Sequence, residues 1–514
     1  MTLAKGRIYW SVSAVVIVTA LLLYFLQEYR LYAKEAEHLW LNDWLWVKQQ
    51  LNRPGAFAQV CTSFLTQFFQ FALIGPIVLS LLFGFVFLLC RNIGKQFGIS
   101  DSLISFWMLP LVFMFLCNEN SYFNLTGHFA FALSLAFVLI YIRIRVASAL
   151  ALKINLILSP IIIVITYVLS GSVALVTAVV VGLYELMKKK NWMGIVAPIL
   201  SFIFCAGISV RMKYFVDMEE AVMPAQYYEW PSTYFFPLYA WISVPLLLVL
   251  GYLLNKDYSA KVRNFIFVGG IVVSALSFVN MYGAVHNERV YQLRKDEWMA
   301  RNMDWRGIIE AHKGKKEPTP FISYLNLALA EEGQLVQRMG DFNPYIVWSE
   351  EANMFSPVFM TNDENSRESL KLQSCIFMRW GGSALANAQK AAFEANLLTP
   401  GHTDPTELQR LIVTNSLFDT DRTAQKYANR LARTTFYQDV CPSGEKLKEQ
   451  VGALKRTLPA EDSFYMKTQI GKMLRDIAYQ TPDNKIATQF YEAYLVQSRD
   501  TTAYRHWKEY NQSL

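Results

Sequence analysis

Long apolar runs alternate with short polar breaks along the first half of the chain, and the pattern changes after Gly283. A membrane-crossing helix needs roughly 20 apolar residues, because the hydrocarbon core is about 30 Å thick and a helix rises about 1.5 Å per residue. Runs that meet or approach this test lie at 8–26, 71–90, 103–117, 125–142, 154–170, 173–187, 193–210, 235–254 and 264–283. They predict about nine spanning helices, since a helix satisfies its own backbone hydrogen bonds in lipid. Pro76, Pro110, Pro160, Pro198 and Pro245 fall inside these runs. Each is expected to remove one helical hydrogen bond and kink its helix within an ordinary bundle.

Beyond Gly283 apolar positions recur at helical spacing, and breaks come at 314–320, 343–344, 381–383, 400–405, 442–444 and 481–484. The segments between them are one or two helices long. Phe321, Tyr324, Leu325, Leu327, Ala328 and Leu329, followed by Gly333, predict an apolar helix face stopped by a glycine. Alanine-rich helices are expected at 384–397, 424–435 and 486–495. This half resembles degenerate tetratricopeptide (TPR-like) helix hairpins, which stack around a shared core and present a concave face. The expected fold class is all-α. A polytopic transmembrane helix bundle fills 1–283, with an interfacial outer loop at 27–70, and a soluble α-helical hairpin domain fills 284–514.

Composition sharpens this division. The chain has 514 residues, 53% hydrophobic and 15% aromatic, an average that hides the contrast between its halves. The net charge of +7 is a topology signal, and nucleic acid is not an expected partner, because much of the Lys and Arg excess sits in short loops. With the N-terminus cytoplasmic, the inner loops hold Lys5 and Arg7, Arg91 and Lys95, Arg143 and Arg145, Lys188, Lys189 and Lys190, and Lys256, Lys261 and Arg263. The outer connections at 118–124 and 171–172 hold no Lys or Arg, as the positive-inside rule demands. An odd number of spans then sets the tail outside, in the periplasm of a bacterium whose inner membrane holds the bundle. Lys5 and Arg7 would suit a signal peptide, but Gln27, Glu28 and Tyr29 follow the first run in place of small residues, so a retained anchor is expected. Cys90, Cys117 and Cys205 lie in or beside apolar runs, Cys61 lies in the first loop, and no cysteine has metal-binding spacing. A Cys375 to Cys441 disulfide is permitted by an outside compartment, though spacing does not supply its geometry.

Candidate chemistry gathers on the outer side. Trp40, Trp44, Val47 and Leu51 recur at helical spacing and predict one helix lying flat with its indoles among lipid headgroups. His38, Asn42 and Gln49 share another face, with Asp43 beside it; Pro54 and Gly55 then break the helix. A second amphipathic stretch sets Phe57, Phe64 and Phe68 against Gln59, Thr62, Ser63 and Gln67. The same surface is expected to hold Asn118, Glu119 and Asn120, His128, and a loop with Arg211, Lys213, Asp217, Glu219, Glu220, Tyr227, Tyr228 and Glu229. Such groups suit transfer from a lipid-linked phosphate. Asp43, Glu37 or Glu35 would be base or metal ligand, Glu119 and His128 would support it, and Arg211 and Lys213 would hold phosphate. Each has a plainer reading. The loop acids would solvate, Asn118, Glu119 and Asn120 would end a helix, His128 would bond a neighbouring helix, and Arg211 and Lys213 would snorkel to the interface. Asp419 and Asp421 open a predicted helix, where acids cap free amides. Almost no charge lies deep in the spans, which counts against a transporter.

Through Leu51-Asn52-Arg53-Pro54-Gly55 and Tyr324-Leu325-Asn326-Leu327-Ala328-Leu329, the chain resembles uncharacterised polytopic membrane proteins of Bacteroidetes-type bacteria, a resemblance that brings no activity with it. One span, a large outer loop with interfacial helices, a bundle and a soluble outer tail also resemble GT-C glycosyltransferases, which use polyprenyl-phosphate-linked sugars. That resemblance implies a catalytic or metal-binding acid in the first outer loop, which Glu35, Glu37 or Asp43 would supply, and a divalent metal as candidate cofactor. The loop lacks Asp-x-Asp and the tail lacks Trp-Trp-Asp. The leading expectation is a transferase moving a sugar from a polyprenyl-phosphate donor to a cell-envelope acceptor at the periplasmic face. The alternative is a non-catalytic scaffold whose tail binds periplasmic protein partners.

Overall fold

In a computed structural model, residues 2–147, 155–228, 235–254, 259–315, 319–342, 366–459, 465 and 469–513 are described. They are helical, with one isolated bridge between Phe123 and Tyr228. The chain divides into two units, Met1–Glu35 with Asp43–Asn287, and Ala36–Asn42 with Glu288–Leu514.

The first unit comprises α1 (Thr2–Glu37, whose last two residues belong to the second unit), α2 (Trp44–Gln50), α3 (Ala56–Thr66), α4 (Ile74–Gln96), α5 (Met108–Cys117), α6 (Thr126–Ala147), α7 (Asn155–Ser170), α8 (Ala174–Lys189), α9 (Met193–Arg211), α10 (Met218–Val222), α11 (Phe235–Leu253) and α12 (Ala260–Val285). Among the described residues seven helical stretches are long and apolar enough to cross a membrane, as in a multi-pass membrane protein. One of them, Ile157–Lys189, is broken at Gly171, whose φ of +71° lets α7 turn back into α8. The turn is visible in register: Ser134 of α6 meets Thr177 of α8 at 2.6 Å, and a few turns on Tyr141 and Arg145 meet Glu185 at 2.9 and 3.1 Å. Helices α6 and α8 therefore run the same way, with α7 returning between them. The run predicted at 103–117 is shorter, beginning as a 3-10 turn, Asp101–Trp107, before α5. Pro110 lies in the first turn of α5 and Pro76 in that of α4, where a missing N–H breaks no ladder, whereas Pro160, Pro198 and Pro245 lie inside helices.

Phe83, Val86, Phe87, Leu135, Val138, Val180 and Val244 fill the bundle core, while Ile17, Phe85, Ile161, Phe204 and Phe265 point outward. That is the expected arrangement where the surrounding solvent is hydrocarbon. Helix α3 has the two faces read in its sequence, with Ala58, Thr62, Ser63 and Thr66 buried and Phe57 and Phe64 exposed. An amphipathic helix turns its apolar face toward the more apolar medium, and here that is not the protein. The flat helix of the first loop is also shorter than predicted. Helix α1 runs on to Glu37, residues 38–43 are extended or irregular, and α2 starts at Trp44, so Trp40 does not share a helix with Trp44.

The second unit comprises α13 (Glu288–Arg301), α14 (Trp305–Ala311), α15 (Thr319–Glu331), α16 (Leu335–Phe342), α17 (Ser366–Trp380), α18 (Ala384–Leu398), α19 (Pro405–Leu417), α20 (Asp421–Leu431), α21 (Gly444–Lys455), α22 (Ile470–Gln480), α23 (Lys485–Gln497) and α24 (Thr501–Ser513). Successive helices α17 and α18, α19 and α20, and α22 and α23 pack as neighbours. Trp380, Trp507, Leu327, Phe377 and Leu474 lie in the core. Helix α15 is buried on every side from Phe321 to Ala330, not on the single face its sequence suggested, and Gly333 follows it at φ +75°. Asn42 is held into this unit by its amide, which donates to the Arg433 carbonyl at 2.7 Å. The break expected at 343–344 lies outside the described residues. All six cysteines are free thiols, so Cys375 and Cys441 do not pair. Asp421 begins α20, and Asp419 instead meets Lys455 at 2.8 Å.

Candidate functional site

Helix α1 outlasts its apolar run by about three turns, and those turns carry Gln27, Arg30 and Lys34, all buried. Their partners come from the end of α5 and the loop behind it. Gln27 Nε2 donates to Glu119 Oε1 at 2.8 Å; Arg30 Nη2 lies 3.1 Å from Glu119 Oε2, and its Nη1 donates to the Glu119 carbonyl at 2.9 Å. His286, just past α12, places Nδ1 2.8 Å from Glu119 Oε2 and stacks on Tyr282. The network continues inward. Asn118 Nδ2 donates to Gln27 Oε1 at 3.1 Å, and His128 Nε2 lies 2.9 Å from Asn118 Oδ1, its ring between Phe83 and Phe123. One buried carboxylate thus ties α1, α5 and α12, with α6 joined through two amides. Both Glu119 oxygens are engaged, Oε1 by Gln27 and Oε2 by Arg30 and His286.

Asp43 caps α2, its Oδ1 accepting the Leu45 amide at 2.9 Å. Glu35 is buried in the first unit. Glu37 is buried in the second, where Arg367 Nη2 donates to it at 2.6 Å and Arg294 Nη2 stands at 3.9 Å. Arg211 and Lys213 are exposed where α9 ends, Lys213 at φ +59°. Asp217 caps α10 through the Glu220 amide at 2.8 Å. Glu229 lies outside the described residues. Of the seven candidates, Glu119 and His128 are the two brought into one network. Among the described residues no group of three or more His, Cys, Asp or Glu is arranged to hold a metal.

Sequence reasoning missed a clasp around Pro54 and Gly55. The Gly55 amide donates to the Val168 carbonyl at 3.0 Å, Gln226 Nε2 donates to the Pro54 carbonyl at 3.0 Å, and Gln226 Oε1 accepts the Ser172 amide at 2.8 Å. Tyr227 is buried beneath it, its hydroxyl donating to the Ser170 carbonyl.

It also missed a buried charge cluster in the second unit. Arg294, Glu297 and Arg301 share one face of α13; Arg367, Glu368, Lys371 and Ser374 lie along α17; Asp404 caps α19, followed by Glu407 and Arg410. Arg294 meets Glu368 at 2.6 Å, and Lys371 Nζ meets Asp404 at 2.7 Å and Glu297 at 3.0 Å. Ser374 Oγ donates to Glu407 Oε2 at 2.7 Å and Arg410 Nη1 to Glu407 Oε1 at 2.6 Å. Burial pushes Glu368 and Asp404 up, but Arg294 and Arg367 around the first, and Lys371 around the second, outweigh it and hold both below the usual carboxylate range. Glu407 goes the other way. Burial pushes it up to about 7, because Arg410 opposes that only in part and Asp404 adds to it. Such alternating charges normally read as a solvated helix face. The available signal was that α17 has little room for one, since Leu372, Ile376, Phe377 and Trp380 claim its other sides.

No curated protein and no solved structure matches the chain. A family model matches residues 6–512, nearly all of both units, and the chain belongs to that family, a family of unknown function (DUF6057).

Proposed function

We propose that this chain is a multi-pass anchor that presents a helical scaffold domain to a protein partner, with its N-terminus cytoplasmic and its second unit in the periplasm. The observation that carries this reading is on α18. Its Ala384, Ala388, Ala391, Ala392 and Ala395 are buried, while Phe393, Leu397 and Leu398 are exposed. Phe393 and Leu397 are four residues apart and share a face. Clustered apolar side chains outside a membrane bundle mark a contact surface. Paired helices in this unit support a tetratricopeptide-like hairpin array. Counting α7 and α8 separately, and including Asp101–Cys117, gives nine crossings, which would set the second unit on the side opposite the N-terminus.

Photocrosslinking from positions 393 and 397 in intact cells tests this. A discrete protein adduct, lost when the unlabelled site carries Asp, is expected. Adducts to phospholipid alone, or none, would sink the scaffold.

A transferase acting on a polyprenyl-phosphate-linked sugar is the second reading, favoured by the Glu119 network, because ionisable groups inside a membrane bundle commonly mark functional sites. It predicts that Glu119→Gln, at matched protein level, loses one glycoconjugate and accumulates its lipid-linked donor. Asp43→Asn and Glu37→Gln test the first-loop acids in the same way.

A further inference from the structure

At the centre of the charge cluster in the second unit is a cavity of about 40 Å³, enough for two or three waters or one small polar group. Its walls bring Arg301 from α13, Lys371 from α17 and Arg410 from α19 against Glu297, Asp404 and Glu407 from the same helices and cap. A fold that needed only stability would fill such a space with apolar side chains, since buried ion pairs seldom repay their desolvation. The donors around the cavity are also in surplus. Tyr324, on the cavity wall and 3% exposed, has a hydroxyl with no hydrogen-bond partner among the described residues. The Thr406 hydroxyl is likewise unbonded there; its amide is the group that meets Asp404. Arg410 uses Nη1 for all its protein contacts, with the Lys371 carbonyl, Ser374 and Glu407, leaving Nε and Nη2 unbonded. Lys371 gives two N–H groups to Asp404 and Glu297 and has a third. The acceptors, by contrast, are occupied: each Glu407 oxygen receives a donor, from Ser374 and from Arg410.

We propose that this cavity is a binding site for a small oxyanion, a carboxylate or a phosphate group, held by Tyr324, Thr406, Lys371 and the free edge of Arg410. This goes beyond the scaffold reading and does not depend on it. Three cations already face three carboxylates, so a bound anion leaves the site one charge negative unless a carboxylate takes up a proton. Glu407 is the group that does so. It faces Asp404 and Arg410 on its own element, Lys371, Ser374 and Cys375 on α17, Glu297 and Arg301 on α13, and Tyr324 on α15. Binding therefore weakens as pH rises through neutrality.

The test is calorimetric titration of the full-length protein in detergent with inorganic phosphate and, separately, acetate. Saturable binding of phosphate alone assigns a phosphoryl ligand, and of acetate alone a carboxylate. Tyr324→Phe and Thr406→Val are each expected to weaken binding about tenfold, the loss of one hydrogen bond to a charged group, with unchanged melting temperature. If Tyr324→Phe disturbs folding, Thr406→Val carries the test. Absence of saturable binding of either anion at millimolar concentration would overturn the proposal, as would wild-type affinity in both variants. Affinity independent of pH between about 6 and about 8 would remove the proton uptake by Glu407.

Discussion

Glu407 is a residue whose charge state should make stability depend on pH near neutrality. An ordinary glutamate titrates near 4.5, and burial raises this one to about 7. Folding thus favours the protonated form, so its contribution is complete below about 4.5 and is lost as pH rises through about 7. Asp404 and Glu368 have the opposite sign. They are held below their usual range, so their contribution is present above that range and is lost only as pH falls through still lower values. Across about pH 5 to about pH 8 this makes wild type lose on the order of 3 kcal/mol that Glu407→Gln does not lose. Urea unfolding of the detergent-solubilised protein should show wild type losing this stability across the interval and Glu407→Gln losing little of it. Equal losses in both would mean that another group titrates there.

Among the elements, the turn between α7 and α8 is the one whose failure should be most damaging. Gly171 sits at φ +71°, and a Cβ there would clash with Gln226 Oε1, the atom that accepts the Ser172 amide. Gly171→Ala therefore combines backbone strain with loss of the Pro54–Gln226 clasp and should cost more than about 1 kcal/mol, lowering the melting temperature clearly. Gly269→Ala, in α12 with open space around its Cβ position, should be neutral or slightly stabilising. Equal effects would show that the turn is not a special position. The membrane helices were legible in the sequence because apolar length is a direct physical requirement. The direction a helix faces was not, as α3 shows, because periodicity gives two faces without saying which solvent each one meets. Glu119 and His128 stood out as polar residues at span ends. Their network did not, since Gln27 and His286 lie 92 and 167 residues from Glu119 in sequence. The tail cavity was hidden for a related reason: charges at helical spacing look solvated until three helices close over them.

For the whole molecule, the consequential feature is that Ala36–Asn42 belongs to the second unit although it precedes most of the first. The family match spans both units, residues 6–512. Glu37 reaches its partner Arg367 across 330 residues of chain, and both side chains are almost wholly buried. A second unit cut out as 288–514 would leave Arg367 without its 2.6 Å carboxylate and the Arg433 carbonyl without the Asn42 amide. Arg367 would still face Glu368 at 3.4 Å, so losing its shortest charged hydrogen bond should cost about 1–3 kcal/mol. The 288–514 fragment should accordingly unfold at lower urea concentration than the same fragment supplied with a peptide covering 36–42. That gain should fall sharply when the peptide carries Glu37→Gln, and also when the fragment carries Arg367→Ala. The sequence position of the peptide also sets an order of events. Residues 36–42 are synthesised long before the helices that receive them, so their docking is a non-local step that follows most of the chain, and non-local contacts of this kind form slowly. If the fragment alone proves as stable as the complemented one, the segment is a passenger and the second unit is complete from Glu288 onward.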